Sequence, residues 1–155
     1  MDLPRERTID LTRTFDAPRA LVWKVWTDPK HIANWWGPHG FTNPVCEWEA
    51  KKGGKILIHM KGMGMEHPMT GEFLEVVPIE RLVFTAVARA VDNSPLLEAH
   101  TVVTFSEQGG RTIVNVKQTG TAIAEIAPQM LAGMEMGWSQ SLEKLATEID
   151  AAKRG

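Results

Sequence analysis

The longest helical pattern in the chain runs from Glu125 to about Ala152. Its apolar positions are Ile126, Met130, Met134, Trp138, Leu142, Leu145 and Ile149, at steps of four, four, four, four, three and four. Side chains three or four residues apart on a helix lie over one another, so this spacing predicts a single apolar stripe. Leu131 and Ser141 fall inside the stripe, and Glu143, Lys144, Glu148 and Asp150 fall mostly outside it. At 1.5 Å per residue the helix is about 40 Å long, roughly the width of a small domain. The rest of the chain must therefore build a surface for this stripe to cover. Gly137 interrupts the stripe between Met134 and Trp138, and glycine in a helix interior costs about 1 kcal/mol relative to alanine. Either another backbone approaches closely there, or a gap lies beneath the helix, bordered by Met130, Met134 and Trp138. A Met or Trp at helical spacing is most often core, although flexible Met side chains also suit an adaptable surface.

Upstream, the period changes from helix to strand. Glu6 to Phe15 alternates Ile9, Leu11 and Arg13 with Thr8, Asp10, Thr12 and Thr14, as a strand does. Asp16-Ala17-Pro18 then opens a helix with Leu21, Val22, Val25 and Trp26 on its apolar face, and Asp16 is the expected cap. Asp28-Pro29 restarts a short helix through Ile32 and Trp35, which ends at Trp36-Gly37-Pro38. Six further strands follow: Pro44 to Trp48, Lys55 to Lys61, Met69 to Val77, Arg81 to Ala88, His100 to Ser106 and Thr112 to Gln118. The turns between them include Lys51-Lys52-Gly53-Gly54, Gly62-Met63-Gly64 and Gly109-Gly110. About seven strands joined mostly by tight turns predict an antiparallel sheet. A curved sheet covered by one long helix is an α+β solution, and it buries both apolar faces.

Composition narrows the class. The 155 residues are 43% hydrophobic and 23% charged, which suits one globular domain. A net charge of −2 gives no basis for a nucleic-acid partner. No apolar run reaches the roughly 18 residues that span a membrane, and the polar opening MDLPRERTID is not expected to be a secretory signal. A single cysteine, Cys46, points to a reducing, cytoplasmic setting. An exposed strand edge leaves a homodimer open.

Several motifs together resemble a known family. Phe15-Asp16-Ala17-Pro18, Trp26-Thr27-Asp28-Pro29 and Trp35-Trp36-Gly37-Pro38 are followed by Gly53-Gly54, His67-Pro68 and Gly71-Glu72-Phe73. Then come Pro78-Ile79-Glu80-Arg81-Leu82-Val83-Phe84-Thr85, Val102-Val103-Thr104-Phe105 and Gly137-Trp138-Ser139-Gln140-Ser141-Leu142. From about Thr8 to Ile149 the chain resembles proteins related to the activator of the heat-shock ATPase. These belong to the START-like, birch-allergen-like superfamily called SRPBCC. The resemblance implies a helix-grip fold, in which a seven-stranded antiparallel sheet wraps the C-terminal helix and commonly encloses a cavity. It fixes fold better than function, because one scaffold hosts many sites.

The candidate ligand-binding residues are Trp35, Trp36, His59, Met60, Phe73, Met130, Met134, Gly137 and Trp138. Two adjacent Trp on a helix cannot both point inward, so one of Trp35 and Trp36 is expected to be partly exposed. The segment His59 to Met69 holds two His and four Met. Soft thioethers and imidazole suit copper(I), but a Gly-rich hairpin explains the segment without metal, with His59 and His67 facing each other. No metal and no cofactor is expected. Glu47, Glu49, Glu72, Glu75, Glu98 and His100 lie in or near strands, where an inward carboxylate or imidazole would be a general base. The alternation does not decide whether Glu72 or Glu75 faces inward, and no Ser-His-Asp or Cys-His constellation has recognisable context. The expected function is therefore binding of a small hydrophobic or aromatic molecule, in a carrier, sensor or resistance role. A cyclase or dehydratase of the polyketide type using the same cavity comes second. A chaperone-interacting stress-response module comes third, with Met136 as an exposed contact.

Overall fold

Alternating inward apolar and outward polar residues run along seven strands, which join into one sheet. The computed structural model describes residues 5–62, 64–124 and 127–154. The strands are β1 (Glu6–Phe15), β2 (Phe41–Trp48), β3 (Lys55–Gly62), β4 (Met65–Val77), β5 (Arg81–Arg89), β6 (Pro95–Gln108) and β7 (Arg111–Ala122). Their spatial order is β1-β7-β6-β5-β4-β3-β2, with every neighbour antiparallel. After β1 the chain leaves the sheet for α1 (Arg19–Thr27) and α2 (Pro29–Trp35), then returns at the opposite edge as β2. From β2 it meanders back until β7 pairs with β1. The final segment, α3 (Ala127–Ala132) and α4 (Met134–Arg154), packs over the concave face of this curved open sheet. The expected α+β helix-grip architecture is present.

The long C-terminal helix is not continuous. It divides at Gly133 into α3 and α4, and the expected start at Glu125 and Ile126 lies outside the described residues. Arg7, on β1, explains how the break is tolerated. Its guanidinium donates to the carbonyl oxygens of Leu131 (3.1 Å) and Ala132 (3.0 Å). A helix leaves its last carbonyls unpaired, and a cation there also complements the dipole. Gly120 on β7 makes room for the elbow. A Cβ there would stand 2.8 Å from Leu131 Cδ2 and 3.0 Å from Met134 Sδ.

The α1–α2 corner supplies the aromatic core. Trp26 and Trp35 are both fully buried, with ring centroids 4.6 Å apart. Trp36 is also buried, at 6% exposure, contrary to the expectation that one of the adjacent pair faces solvent. Trp36 is not helical but is the C-cap of α2, with φ −65° and ψ 136°. The chain turns there, and the helical angle between neighbours no longer applies. Asp28 caps α2 by accepting from the Lys30 amide at 2.9 Å. Asp16 does not cap α1. Pro18 occupies that position, and the Arg19 amide donates instead to Glu107 Oε1 of β6 at 2.7 Å.

Register corrects two further expectations. His59 pairs with Pro68, and His67 pairs with Met60. Directly opposed residues share a face and successive residues alternate, so the two His lie on opposite faces. The turn residue Met63 lies outside the described residues. In β4 the pairing with β5 shifts between Phe73 and Glu75. This bulge at Leu74 accounts for apolar residues at both phases, and both Glu72 and Glu75 are exposed.

Burial predicts which substitutions unfold the protein. Leu145 is fully buried on α4, whereas Met136 is 68% exposed. Leu145→Ala should lower unfolding free energy by about 2–5 kcal/mol in urea titration. Met136→Ala should change it by no more than about 0.5 kcal/mol. A Cβ at Gly71 would overlap the Thr85 carbonyl oxygen across β4–β5, so Gly71→Ala should also destabilise the sheet.

Candidate functional site

One row of the sheet is built from residues with almost no side chain. Gly71 pairs with Ala86, Ala86 with Ala99, and Ala99 with Gly120, across β4, β5, β6 and β7. The row on one side is bulky: Phe73, Phe84, Thr101 and Gln118. The row on the other side runs Met69, Ala88, Leu97 and Ala122. Ala86, Ala88 and Ala99 leave a trough in the concave face, whereas Gly71 lies against the Thr85 carbonyl and the space over Gly120 is taken by Leu131 and Met134. The covering helix does not fill it, because Gly137 also lacks a side chain. A Cβ at Gly137 would meet no atom within 4 Å.

The result is an apolar cavity of about 190 Å³ between sheet and helix. Its inner wall is Phe84, Ala86, Ala99 and Met69 from the sheet, Trp138 and Ser141 from α4, and Trp36 from the end of α2. Pro38, Met60, Ala88, Leu97 and Gly137 also border it and are only partly buried, so they form its rim. Gln118 is the one amide side chain on the wall. None of the lining side chains among the described residues is titratable.

Trp138 is the fixed point of this wall. It stacks on Trp26 at 6.2 Å and 13° and meets Trp36 edge-on at 5.4 Å. Its indole N–H donates to Gln118 Oε1 at 3.0 Å, and Gln118 Nε2 donates to Thr101 Oγ1 at 2.8 Å. An indole only donates, so the amide must turn its oxygen toward Trp138 and its nitrogen toward Thr101.

The wall from Trp36 to Pro38 is tied to neighbouring elements by polar contacts. Asn43 Nδ2 donates to the Ala33 and Trp36 carbonyls at 3.1 and 2.9 Å. Lys144 Nζ lies 3.3–3.4 Å from the carbonyl oxygens of Trp36, Gly37 and Phe41. Burial lowers the pKa of this ammonium below its ordinary value. The His39 amide donates to Gln140 Oε1 at 3.1 Å, and its ring lies 2.8 Å from Glu143. His31 Nδ1 and Asn34 Nδ2 both meet Glu148 Oε2, at 2.7 and 2.9 Å, one and a half turns further along α4. Gly37 has φ +89°, a conformation that glycine adopts readily.

The structure divides the nine candidate residues. Trp36, Met60, Met134, Gly137 and Trp138 lie on the cavity wall. Trp35 is packed behind it, with its indole N–H donating to the Val25 carbonyl at 3.1 Å. Phe73 is buried between Trp48 and Phe84. Met130 packs against the core without bordering the cavity. His59 lies on the other face, 3.4 Å from Glu66. Glu47, Glu49, Glu72, Glu75, Glu98 and His100 are exposed. No cluster of three or more His, Cys, Asp or Glu able to hold a metal occurs among the described residues. The wall residues absent from the candidate set are chiefly small or polar: Ala86, Ala88, Ala99, Gln118 and Ser141. For Ala86 and Ala88 the signal was a shift from bulky to small residues along one phase of β5, from Leu82 and Phe84 onward.

An open antiparallel sheet gripping a C-terminal helix, with an apolar cavity between them, defines a helix-grip protein of the SRPBCC kind. The family described as Activator of Hsp90 ATPase homolog 1-like protein matches residues 16–150. The chain belongs to that family. It is similar to a protein of Chromobacterium violaceum at 29% identity and TM-score 0.77, covering 92% of this chain and 96% of that one. An Arthrobacter aurescens protein is 25% identical, with TM-score 0.78 and coverage of 93% and 86%. The AHSA1 protein of Silicibacter pomeroyi, 23% identical with TM-score 0.77 and coverage of 94% and 99%, shares the fold. No curated protein matches the chain significantly. Among the described residues no helix is long and apolar enough to cross a membrane.

Cys46, half-buried on β2, gives a pH signature for this end of the sheet. Burial pushes its thiol from 9.0 to about 11. Between those values the folded state keeps a proton that the unfolded chain has lost, so this contribution to stability falls as pH rises. Cys46→Ala should therefore flatten the loss of stability between about pH 9 and pH 11 in urea titrations. An unchanged slope would contradict the burial assigned to this thiol.

Proposed function

We propose that the protein binds a small, largely apolar molecule in the cavity between the sheet and α4. The observation that carries this reading is the coincidence of two absences of side chain. Ala86 and Ala99 remove bulk from the sheet, and Gly137 removes it from the helix above. Protein interiors otherwise pack at the density of organic crystals, and a core that already buries five Trp has ample bulk with which to close such a space. Concave, mostly apolar sites with a few placed polar groups are where small ligands bind. The volume also fits a modest ligand, since an apolar cavity of about 150 Å³ takes up benzene.

The polar chemistry of the wall favours binding over acid–base catalysis. General acids and bases must lie within hydrogen-bond reach of the reacting group. The carboxylates and the imidazole considered from sequence are exposed, and the wall carries an amide and a hydroxyl in their place. The roles compatible with such a site are carriage, sensing or sequestration of the ligand.

Gly137 supplies the test. Gly137→Leu should project a side chain into the cavity and abolish uptake of a single-ring hydrophobe such as isopropylbenzene. Uptake is followed by the fluorescence of Trp36 and Trp138, which form the wall. The fold should persist, because leucine is a better helix former than glycine by several tenths of a kcal/mol. Full uptake by a folded Gly137→Leu protein would remove the cavity as the binding site.

A further inference from the structure

The polar chain at the floor of the cavity is only partly used by the protein. A glutamine amide carries two N–H donors and two acceptor lone pairs. Among the described residues, Gln118 spends one lone pair on the Trp138 indole and one N–H on Thr101. Gln118 is nine-tenths buried, at 7% exposure, and it borders the cavity. Around it the floor is hydrocarbon: Phe84, Ala86 and Ala99. One amide oxygen and one N–H meet the needs of Trp138 and Thr101, which leaves the second N–H surplus to both, and a buried donor left without an acceptor costs about 1–3 kcal/mol. The amide is also held in one orientation. Trp138 can only donate to it, and Trp138 is itself clamped by Trp26 and Trp36. Fixed donors in a dry apolar site are what discriminate between ligands of equal shape, because the wrong ligand leaves them unpaired.

We propose that Gln118 is the specificity-determining residue of this cavity, and that its ligand class is a single-ring compound bearing a carbonyl oxygen. This rests on the cavity being a ligand site. The oxygen accepts the remaining N–H of Gln118 Nε2. The ring lies in the trough along Ala86 and Ala99, beneath Gly137. The cavity volume of about 190 Å³ leaves room for one ring and a short substituent. Ser141, on the facing helix, is the second polar side chain on the wall. It stands on α4 rather than in the fixed Trp138–Gln118–Thr101 chain.

Two planar probes of nearly equal shape isolate the effect. Acetophenone has a carbonyl oxygen where α-methylstyrene has a CH₂ group. A cavity with no donor to offer would prefer α-methylstyrene by the ratio at which the two partition from water into hydrocarbon. With Gln118 donating, that preference should shrink by about tenfold or more, the value of one well-placed buried hydrogen bond. Dissociation constants come from tryptophan fluorescence on the full-length protein. Acetophenone, and not α-methylstyrene, should also shift the Gln118 side-chain amide resonances in NMR. Gln118→Met, if folded, should restore the hydrocarbon ratio. Met136→Ala, at a position exposed on α4 and outside the cavity, should leave the wild-type ratio unchanged. A wild-type ratio equal to the partition ratio would overturn the role of Gln118 while leaving apolar binding intact. Loss of discrimination in Ser141→Ala would also overturn it, by moving the donor to the helix. Failure of both probes to bind at all would overturn the inference together with the binding reading beneath it.

Discussion

The contact on which the structure depends is Trp138 against the floor of the sheet. This one side chain joins four elements. It stacks on Trp26 of α1, meets Trp36 at the end of α2, donates to Gln118 of β7, and rises from α4. The stacking and edge contacts bury a large apolar ring, while the single N–H finds an acceptor. Buried Trp is stable only when both needs are met. Because Trp138 is held in this way, the helix sits at a set height above the sheet. The space left where Ala86, Ala99 and Gly137 have little or no side chain then persists as a cavity instead of collapsing.

The same constraint accounts for the polar straps around the helix. α4 must be held along its length without filling the trough near its start. Arg7 binds the carbonyls at the α3–α4 elbow, Arg13 donates to Ser139 at 3.0 Å, and Lys144 gathers three carbonyls between the end of α2 and the start of β2. Glu143 and Glu148 take up His39 and His31. Leu142, Leu145 and Ile149 then complete an apolar seam in the part of the helix that covers full-sized side chains. One half of α4 is thus structural packing, and the other half is the roof of a cavity.

Much of this was legible in the sequence. The step pattern from Met130 to Ile149 identified the covering helix, and the Gly-rich turns identified an antiparallel meander. Gly137 pointed to either a close backbone approach or a gap, and a Cβ there meets no atom within 4 Å. What was not legible depended on register. Ala86, Ala99 and Gly120 stand in one row only after hairpin lengths and the bulge at Leu74 are known, and alanine carries no pattern of its own. The misplacements have local causes. His59 went to the wrong face because the turn register pairs it with Pro68. Trp36 escaped the helical rule because the helix ends one residue earlier. Phe73 and Trp35, named as ligand contacts, lie in the filled part of the core. Gly133 was not read as a break, since its consequence depends on Arg7, which lies more than a hundred residues earlier.

The most direct test of the central claim is the mass of freshly purified protein under native conditions, set against its mass after denaturation. The account predicts a non-covalent excess of one small organic molecule, near one per chain, that is lost on denaturation and absent from Gly137→Leu. A bare native mass that stays bare when the protein is incubated with single-ring hydrophobes would contradict it. The space beneath Gly137 would then be a packing defect, with no ligand to fill it.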